Sequence, residues 1–401
     1  MIDKKIGQEC CGCMMCGDIC PKEAISFETN NEGFWHPKVD YGKCVNCGLC
    51  VNKCPVINQT INQNAFTPPK TYAAWLRDDD IRVKSTSGGL YYALAQTMLA
   101  QNGYIAGCAF SDDWKSARHI IGNTRDDLDK IFRSKYFQSD TAGIYREIKR
   151  LLDSDERILF CGTPCHNAAL IEFLGKDYAN LIQCDFICRG INSPLAHRAH
   201  VAELEKKYNS PVAFFNFKNK SKGWTALGLL VKFANGKQNF TDRYTSAWTR
   251  GYIGSNLYMR RSCEECRFKR MPRVSDISFG DYWGLRKDKE TIQKGISVVM
   301  LNTDKGVKFY NETLPLLYSE DSAFEQALKG NECIFDTPKF NHKERNEFFR
   351  RINDGESFST VVFSLEKTNK AAVAVRSVIK KAIAKLPKSV KESIKKWMRW
   401  R

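Results

Sequence analysis

The sequence predicts two folded parts, a small cysteine-rich α+β domain at the N-terminus and a larger α/β body behind it, ending in a basic helical tail. Three observations predict this. Nine of the 17 cysteines are packed between Cys10 and Cys54. Strand-like apolar runs alternate with helical patterns over residues 71–350, the order expected of an α/β layer structure. Basic residues crowd residues 366–401, where twelve Lys/Arg against two Glu give a net +10, so the remaining 365 residues carry only +7 of the total +17.

Composition sets compatible bounds. A chain of 401 residues suits two or three domains. Hydrophobic residues at 43% and charged residues at 27% support a core and exclude wholesale disorder. No run reaches the roughly 18 apolar residues of a membrane span. Met1-Ile2-Asp3-Lys4-Lys5 leads straight into cysteines with no apolar signal core, so a cytoplasmic location is expected. An odd number of cysteines fits a reducing compartment and metal or cluster chemistry better than a disulfide framework.

Within residues 1–57, Cys10-x2-Cys13-x2-Cys16-x3-Cys20-Pro21 recurs 34 residues later as Cys44-x2-Cys47-x2-Cys50-x3-Cys54-Pro55. This is the spacing of bacterial two-cluster ferredoxins. Three thiolates at every third residue wrap one face of an iron–sulfur cubane. The fourth lies too far along to close the same cube and crosses to the other one. Proline then fixes φ and turns the chain away. Cluster one is expected on Cys10, Cys13, Cys16 and Cys54, and cluster two on Cys44, Cys47, Cys50 and Cys20. Zinc is the rival, but zinc sites usually take cysteine pairs rather than triplets followed by Cys-Pro. Cys11 is surplus and reads as a bystander. A [4Fe–4S] core with its thiolates carries about −2, so two of them lower the net charge to about +13.

Residues 58–70 are polar with a Pro pair and read as a linker. In the body, Tyr104–Phe110, Ile158–Phe160, Leu181–Ile187 and Ser297–Leu301 read as strands, and Leu90–Ala100, Ile144–Leu152 and Leu195–Lys207 as helices. Ser85-Thr86-Ser87-Gly88-Gly89 opens one of these helices. It suits either a phosphate-binding turn or a plain N-cap. Gly162-Thr163-Pro164-Cys165 is a tight strand-to-helix turn with a thiol at its tip. The six histidines show no ligand spacing; His166, beside Cys165, is the one kept as a site candidate. Cys263-x2-Cys266 lies among basic residues and is compatible with half a zinc knuckle, a redox pair or part of a cluster site. Together with Cys165 and Cys188 it makes a potential third four-thiolate set.

These pieces resemble the beta subunits of coenzyme F420 hydrogenase/dehydrogenase and their bacterial relatives. The resemblance rests on Ser85–Gly89, Ser134-Lys135-Tyr136-Phe137-Gln138-Ser139, Gly162–Cys165, Asp185–Gly190, Lys218 with Gly223-Trp224, Cys263–Phe268, Asp276–Gly284 and Gly295-Ile296-Ser297, in that order. It implies FAD in the body beside a third [4Fe–4S] cluster on Cys165, Cys188, Cys263 and Cys266. It implies cofactor-binding roles for Ser85, Thr86, Ser87, Gly88, Gly89, Ser134, Gln138, Thr163 and Asp281, with Lys135 and Tyr136 near the isoalloxazine ring. Two departures bear on the substrate: His166 stands where the family usually has Gln, and Arg189 where it often has His. Bacterial relatives often occur with polysaccharide assembly enzymes.

The expected activity is an iron–sulfur flavoprotein oxidoreductase. A ferredoxin-like donor would reduce the clusters, and FAD would join one-electron carriers to a two-electron organic acceptor. Lys135, Tyr136 and His166 are the expected catalytic residues. The alternative is an electron-transfer subunit that feeds a partner enzyme. In the tail, Ile379, Ile383, Leu386, Val390, Ile394 and Trp397 form a helical stripe among lysines. It suits either an anchor on an anionic membrane surface, at its inner face, or a docked solvated helix. Nucleic acid is not an expected partner, because no reading motif accompanies the charge.

Overall fold

The structure is a computed structural model that describes residues 1–366. The basic tail and its expected membrane contact lie outside the described residues. Among the described residues no helix is long and apolar enough to cross a membrane.

The N-terminal part combines short helices (Ile2–Ile6, Met15–Asp18, Leu49–Asn52 and Pro55–Asn58) with one hairpin, β1 (Ile25–Thr29) with β2 (Trp35–Val39), antiparallel with Ile25 opposite Val39. The body carries β3 (Lys70–Leu76), β4 (Tyr104–Phe110), β5 (Ala117–Gly122), β6 (Ile158–Gly162), β7 (Leu181–Phe186), β8 (Val212–Asn219), β9 (Gly228–Phe233), β10 (Gln238–Asp242), β11 (Ile277–Asp281), β12 (Ser297–Leu301) and β13 (Leu317–Ser322). Its principal helices are α1 (Leu90–Ala100), α2 (Arg125–Ile131), α3 (Ile144–Asp153), α4 (Pro164–Leu174), α5 (Pro194–Tyr208), α6 (Asp304–Thr313), α7 (His342–Asn353) and α8 (Phe358–Leu365).

Eight strands form one mixed sheet in the order β13-β3-β12-β11-β7-β6-β4-β5. Its centre is parallel, with β11 beside β7, β7 beside β6 and β6 beside β4. Every residue of β12 is buried, as is usual for a strand covered on both faces. In α3 the buried residues are Ile144, Tyr145, Ile148, Leu151 and Leu152, an apolar stripe at helical spacing. Thr163 caps α4 through the His166 amide, Pro164 occupies the first turn, and Gly175 ends the helix in the left-handed region.

A second, three-stranded antiparallel sheet, β10-β9-β8, packs an aromatic core that includes Phe215, Phe217, Trp248 and Tyr258. Phe348, Phe349, Phe358 and Val361 of α7 and α8 belong to the same core. The packed body therefore runs past residue 350, where the sequence pattern gave out. Segment 59–69 also differs from a free linker. Thr60 donates to Glu172 at 2.7 Å, Arg270 donates to the Thr60 carbonyl at 3.1 Å, and Phe66 pairs with the Asn302 carbonyl at 2.6 Å.

The carboxyl ends of β6, β7 and β11 point the same way, because the three strands are mutually parallel. Cys165 follows β6, Cys188 follows β7 and Asp281 ends β11. That edge of an open α/β sheet is where ligands bind as a rule.

Candidate functional site

The two cysteine runs share a backbone device. Gly12 (φ 76°) and Met14 (φ 59°) flank Cys13, and Asn46 (φ 55°) and Gly48 (φ 78°) flank Cys47. Left-handed residues on both sides of the middle cysteine are the conformations from which anion-binding nests are built. Met14 holds this conformation despite its Cβ, at a cost of about 1–2 kcal/mol, the kind of strain that persists at functional sites.

Cysteines then cross between the runs. Burial pushes the Cys16 thiol well above its usual range, and Cys10, Cys54 and Cys50 push it further. Cys54 comes from the second run, yet its neighbours are Cys10, Cys13 and Cys16. Burial also raises Cys50, with Cys20 and Cys44 adding to it. Cys20, Cys44, Cys47 and Cys50 line one small cavity with Met1, Val45 and Leu49. Thiols crowded in this way resist becoming thiolates unless a positive core sits among them. Among the described residues no three His, Cys, Asp or Glu side chains form a group suited to a single metal ion.

The body has its own thiol set. Cys165, Cys188, Cys263 and Cys266 line a cavity of about 300 Å³, with Pro164, Val56 and Phe268 as apolar wall. The Ile191 amide donates to the Cys263 sulfur at 3.3 Å, and the Thr163 hydroxyl lies 3.0 Å from the Cys165 sulfur. Gly190 (φ 153°) leaves room there: a Cβ would stand 2.0 Å from Met259 Cε and 3.3 Å from Cys263 Cβ. Burial pushes Cys263 up to about 12, with Cys266 adding and Arg260 opposing. Cys11 lines the same cavity and makes side-chain contacts with both Cys13 and Cys165. The surplus thiol is thus the shared wall of two cysteine sites.

The residues matched to a flavin site divide into three places. In the glycine turn, Ser85 donates to the Ile81 carbonyl at 2.8 Å, Ser87 to the Ile296 carbonyl at 2.8 Å, and the Gly88 amide to Ser297 at 3.0 Å. Gly88 admits no side chain, since a Cβ would stand 2.5 Å from the Ala74 carbonyl oxygen. Gly89 caps α1 with φ 88°. Thr86 accepts from the amide and hydroxyl of Ser134, both at 3.1 Å. Lys220, which the sequence pattern does not single out, clamps this turn. Its buried ammonium donates to the carbonyls of Arg82, Ser87 and Lys294.

Asp281 pairs with Lys218, whose ammonium lies over the rings of Tyr136 at 5.6 Å and Trp283 at 6.0 Å. Lys220 also feels Asp281 and Lys218, so this group adjoins the glycine turn. The Tyr252 ring lies 5.7 Å from that of Tyr136, and Cys188 also acts on Tyr252. Tyr136 therefore adjoins both the Lys218 group and Tyr252.

The third group lies elsewhere. Gln138 donates to the Gly12 carbonyl at 3.1 Å and accepts from Arg260 at 3.1 Å, in the seam between the N-terminal part and the body. Thr163 caps α4 at the Cys165 site. Both side chains are committed to protein contacts rather than to the turn. Lys135 donates to the carbonyls of Lys130, Ile131 and Phe132 at 2.9, 2.5 and 3.1 Å. It thereby closes the end of α2, where cations are favoured, while burial pushes it down to about 8. His166 is buried against His119, with ring centroids 5.0 Å apart, and burial pushes it down to about 4. It stands as a neutral core imidazole.

Residues 155–323 match the family profile for the C-terminal region of the coenzyme F420 hydrogenase/dehydrogenase beta subunit, and residues 9–58 match the 4Fe-4S dicluster domain. The ferredoxin-type protein NapF of Haemophilus influenzae is 42% identical over 50 residues, 12% of this chain and 28% of that protein. NADH-quinone oxidoreductase subunit I of Pelobacter propionicus is 38% identical over 69 residues, 15% of this chain and 36% of that protein. The chain thus spans about a third of the length of these relatives or less. A chain of the xenon-derivatised F420-reducing [NiFe] hydrogenase complex from Methanosarcina barkeri superposes with a TM-score of 0.46 at 15% identity, over 73% of this chain and 97% of that one.

Proposed function

We propose that the protein is an iron–sulfur flavoprotein oxidoreductase, from the premise that residues 155–323 match the coenzyme F420 hydrogenase/dehydrogenase beta-subunit family and residues 9–58 match the 4Fe-4S dicluster domain. The observation that carries the reading is the continuous order of sites. Cys20, Cys44, Cys47 and Cys50 line one cavity, with Cys47 exposed. Cys16 joins them to Cys10, Cys13 and Cys54, Cys11 joins that set to Cys165, and Tyr252 joins Cys188 to Tyr136. The first two cysteine sets would hold [4Fe–4S] cores, and Cys165, Cys188, Cys263 and Cys266 a third.

For FAD, the Lys218–Asp281–Tyr136 group is the part that would meet it, since the glycine turn and Lys220 are bonded within the protein and would act as its frame. Iron–sulfur cores supply one-electron transfers, and a flavin converts between those and two-electron chemistry with an organic acceptor. The protein's part is positional. Burial opposes the charge on Lys218, but Asp281 and Tyr136 outweigh it and keep the ammonium protonated. A fixed cation beside Tyr136 would orient a planar ring and stabilise negative charge on it. A ferredoxin-like donor would meet the chain at the second cysteine run. A second reading, an electron-transfer subunit feeding a partner enzyme, draws on a relative that is itself named as a subunit.

Anaerobic purification with iron, sulfide and flavin counted per chain tests this. The expected yield is about twelve iron and twelve sulfide for three [4Fe–4S] cores, with one releasable FAD. Iron without acid-labile sulfide would overturn the cluster assignment. A full iron count with no flavin retained would leave the electron-transfer reading and remove the flavoenzyme.

A further inference from the structure

Arg260 is 2% exposed, yet it meets no anion. Its guanidinium donates to the Cys10 carbonyl at 2.6 Å, to Gln138 at 3.1 Å, to the Trp35 carbonyl at 3.0 Å, and contacts His36 at 3.3 Å. All four partners are neutral, His36 because burial and then Arg260 itself push it down to about 4. Among the described residues no carboxylate comes within ion-pair distance of it. Glu32, which also acts on His36, is already bound by Arg261 and Arg345. The other buried arginine near the body cysteines, Arg273, has Asp185 at 2.8 Å.

A buried cation without a counter-charge is costly, and such groups are ordinarily paired. The position of Arg260 shows what would pair with it. Its side chain lies on the Cys10–Gly12 loop, while the amide of Cys263 donates to its own carbonyl at 3.0 Å and its charge acts on the Cys263 sulfur. One residue is thus bonded to the first N-terminal cysteine set and sits one turn ahead of the body set. Four thiolates and a [4Fe–4S]2+ core together carry about −2.

Resting on the cluster reading, we propose that Arg260 is the built-in counter-charge shared by the core on Cys10, Cys13, Cys16 and Cys54 and the core on the body cysteines, and that it raises the reduction potential of both. A fixed positive charge favours the more negative, reduced form of each core. The core on Cys20, Cys44, Cys47 and Cys50 serves as an internal reference, because Arg260 makes no contact with that set.

The test is a redox titration followed by electron paramagnetic resonance on anaerobic full-length protein, with iron counted. In Arg260→Met, the two inner cores should become harder to reduce by about tenfold in equilibrium constant, about 59 mV for one electron, and the outer core should stay in place. Arg260→Lys keeps the charge but not the forked hydrogen bonds, and should hold both inner potentials near wild type. Unchanged potentials in a fully loaded Arg260→Met protein would overturn the assignment. If Arg260→Met loses iron, a loaded Arg260→Lys with wild-type potentials supports the charge. A Lys variant that also loses iron makes Arg260 a framework residue and overturns it. Wild-type protein without clusters sinks the function reading and this inference together, whereas the other failures sink this inference alone.

Discussion

The two cysteine runs have the same spacing and the same left-handed residues around their middle cysteine, but the molecule treats them differently. The first is embedded. The Gly12 carbonyl accepts from Gln138, and the Cys13 carbonyl accepts from Thr141 at 2.8 Å and Tyr145 at 2.9 Å. The Asp18 carboxylate accepts from the amides of Gly143 and Tyr145 at 2.7 and 3.0 Å. The second run faces out, with Cys47 exposed, Val45 at 59% and Leu49 at 38%. A local code sets how each loop winds. The body decides which loop is buried in the seam and which stays at the surface.

Exchange of the fourth cysteine breaks this comparison most severely. Cys54→Ala sits in the second run but should empty the first set, removing about four of the expected irons and leaving the spectrum of the outer core. Cys20→Ala should do the reverse. Iron counts and electron paramagnetic resonance of the two variants check it. Loss confined to the mutated residue's own run would mean that the chains do not cross.

A Cβ on Gly12 would stand 2.2 Å from Gln138 Nε2 and 2.9 Å from Arg260 Nη1, both buried and multiply bonded. Its counterpart Gly48 is left-handed too, but the nearest atom to a Cβ there is Asn52 Nδ2 at 3.4 Å. Gly12→Ala should cost about 3 kcal/mol, conformational strain plus overpacking, and Gly48→Ala about 1 kcal/mol from strain alone. Urea midpoints of the two variants measure the gap. Equal costs would show that the body does not press on the first run.

A smaller effect is expected at Glu32, which ties the N-terminal hairpin to α7. Burial opposes its charge, but Arg345 and Arg261 outweigh this and hold the carboxyl below its ordinary 4.5. A depressed carboxyl stabilises the fold above its unfolded value and loses that contribution as pH falls through the folded one. Wild-type stability should therefore drop below about pH 4.5, while Glu32→Gln should start about 2 kcal/mol lower and show a flatter acid limb. Denaturant midpoints between about pH 6 and 3 decide it; parallel acid limbs would remove Glu32 from the linkage.

How much of this was legible follows from distance along the chain. Strands and helices such as Tyr104–Phe110, Ser297–Leu301 and Leu90–Ala100 coincide with their apolar patterns, because periodicity is local. Spacing alone also assigned Cys54 to the first run's set and Cys20 to the second's, an expectation that the two alanine variants test. The seam was not. Arg260 lies 250 positions from Cys10, and Arg345 lies 313 from Glu32. Within His342–Asn353, charged residues outnumber the apolar ones that dock, so the pattern reads as a solvated helix although Phe348 and Arg345 are fully buried. Lys220 is one lysine among many until the fold brings three carbonyls to it. Gln138 matched a motif, but the fold commits its amide to Gly12 and Arg260.

The mildest prediction concerns the outward run. Residues 41–54 contain Lys43 and Lys53 and no carboxylate, with exposed Tyr41, Val45 and Leu49 around Cys47. An apolar patch with a positive edge suits brief contact with an acidic redox protein, since charge governs encounter rate more than final affinity. Val45→Glu leaves the packing alone and should change stability by less than about 0.5 kcal/mol, with iron content and both inner-core potentials as in the wild type. Stopped-flow reduction by an acidic ferredoxin should slow several-fold at low salt, and added salt should narrow the gap as it screens both proteins. Equal rates for variant and wild type at every ionic strength would place the port elsewhere and leave the outward run merely exposed.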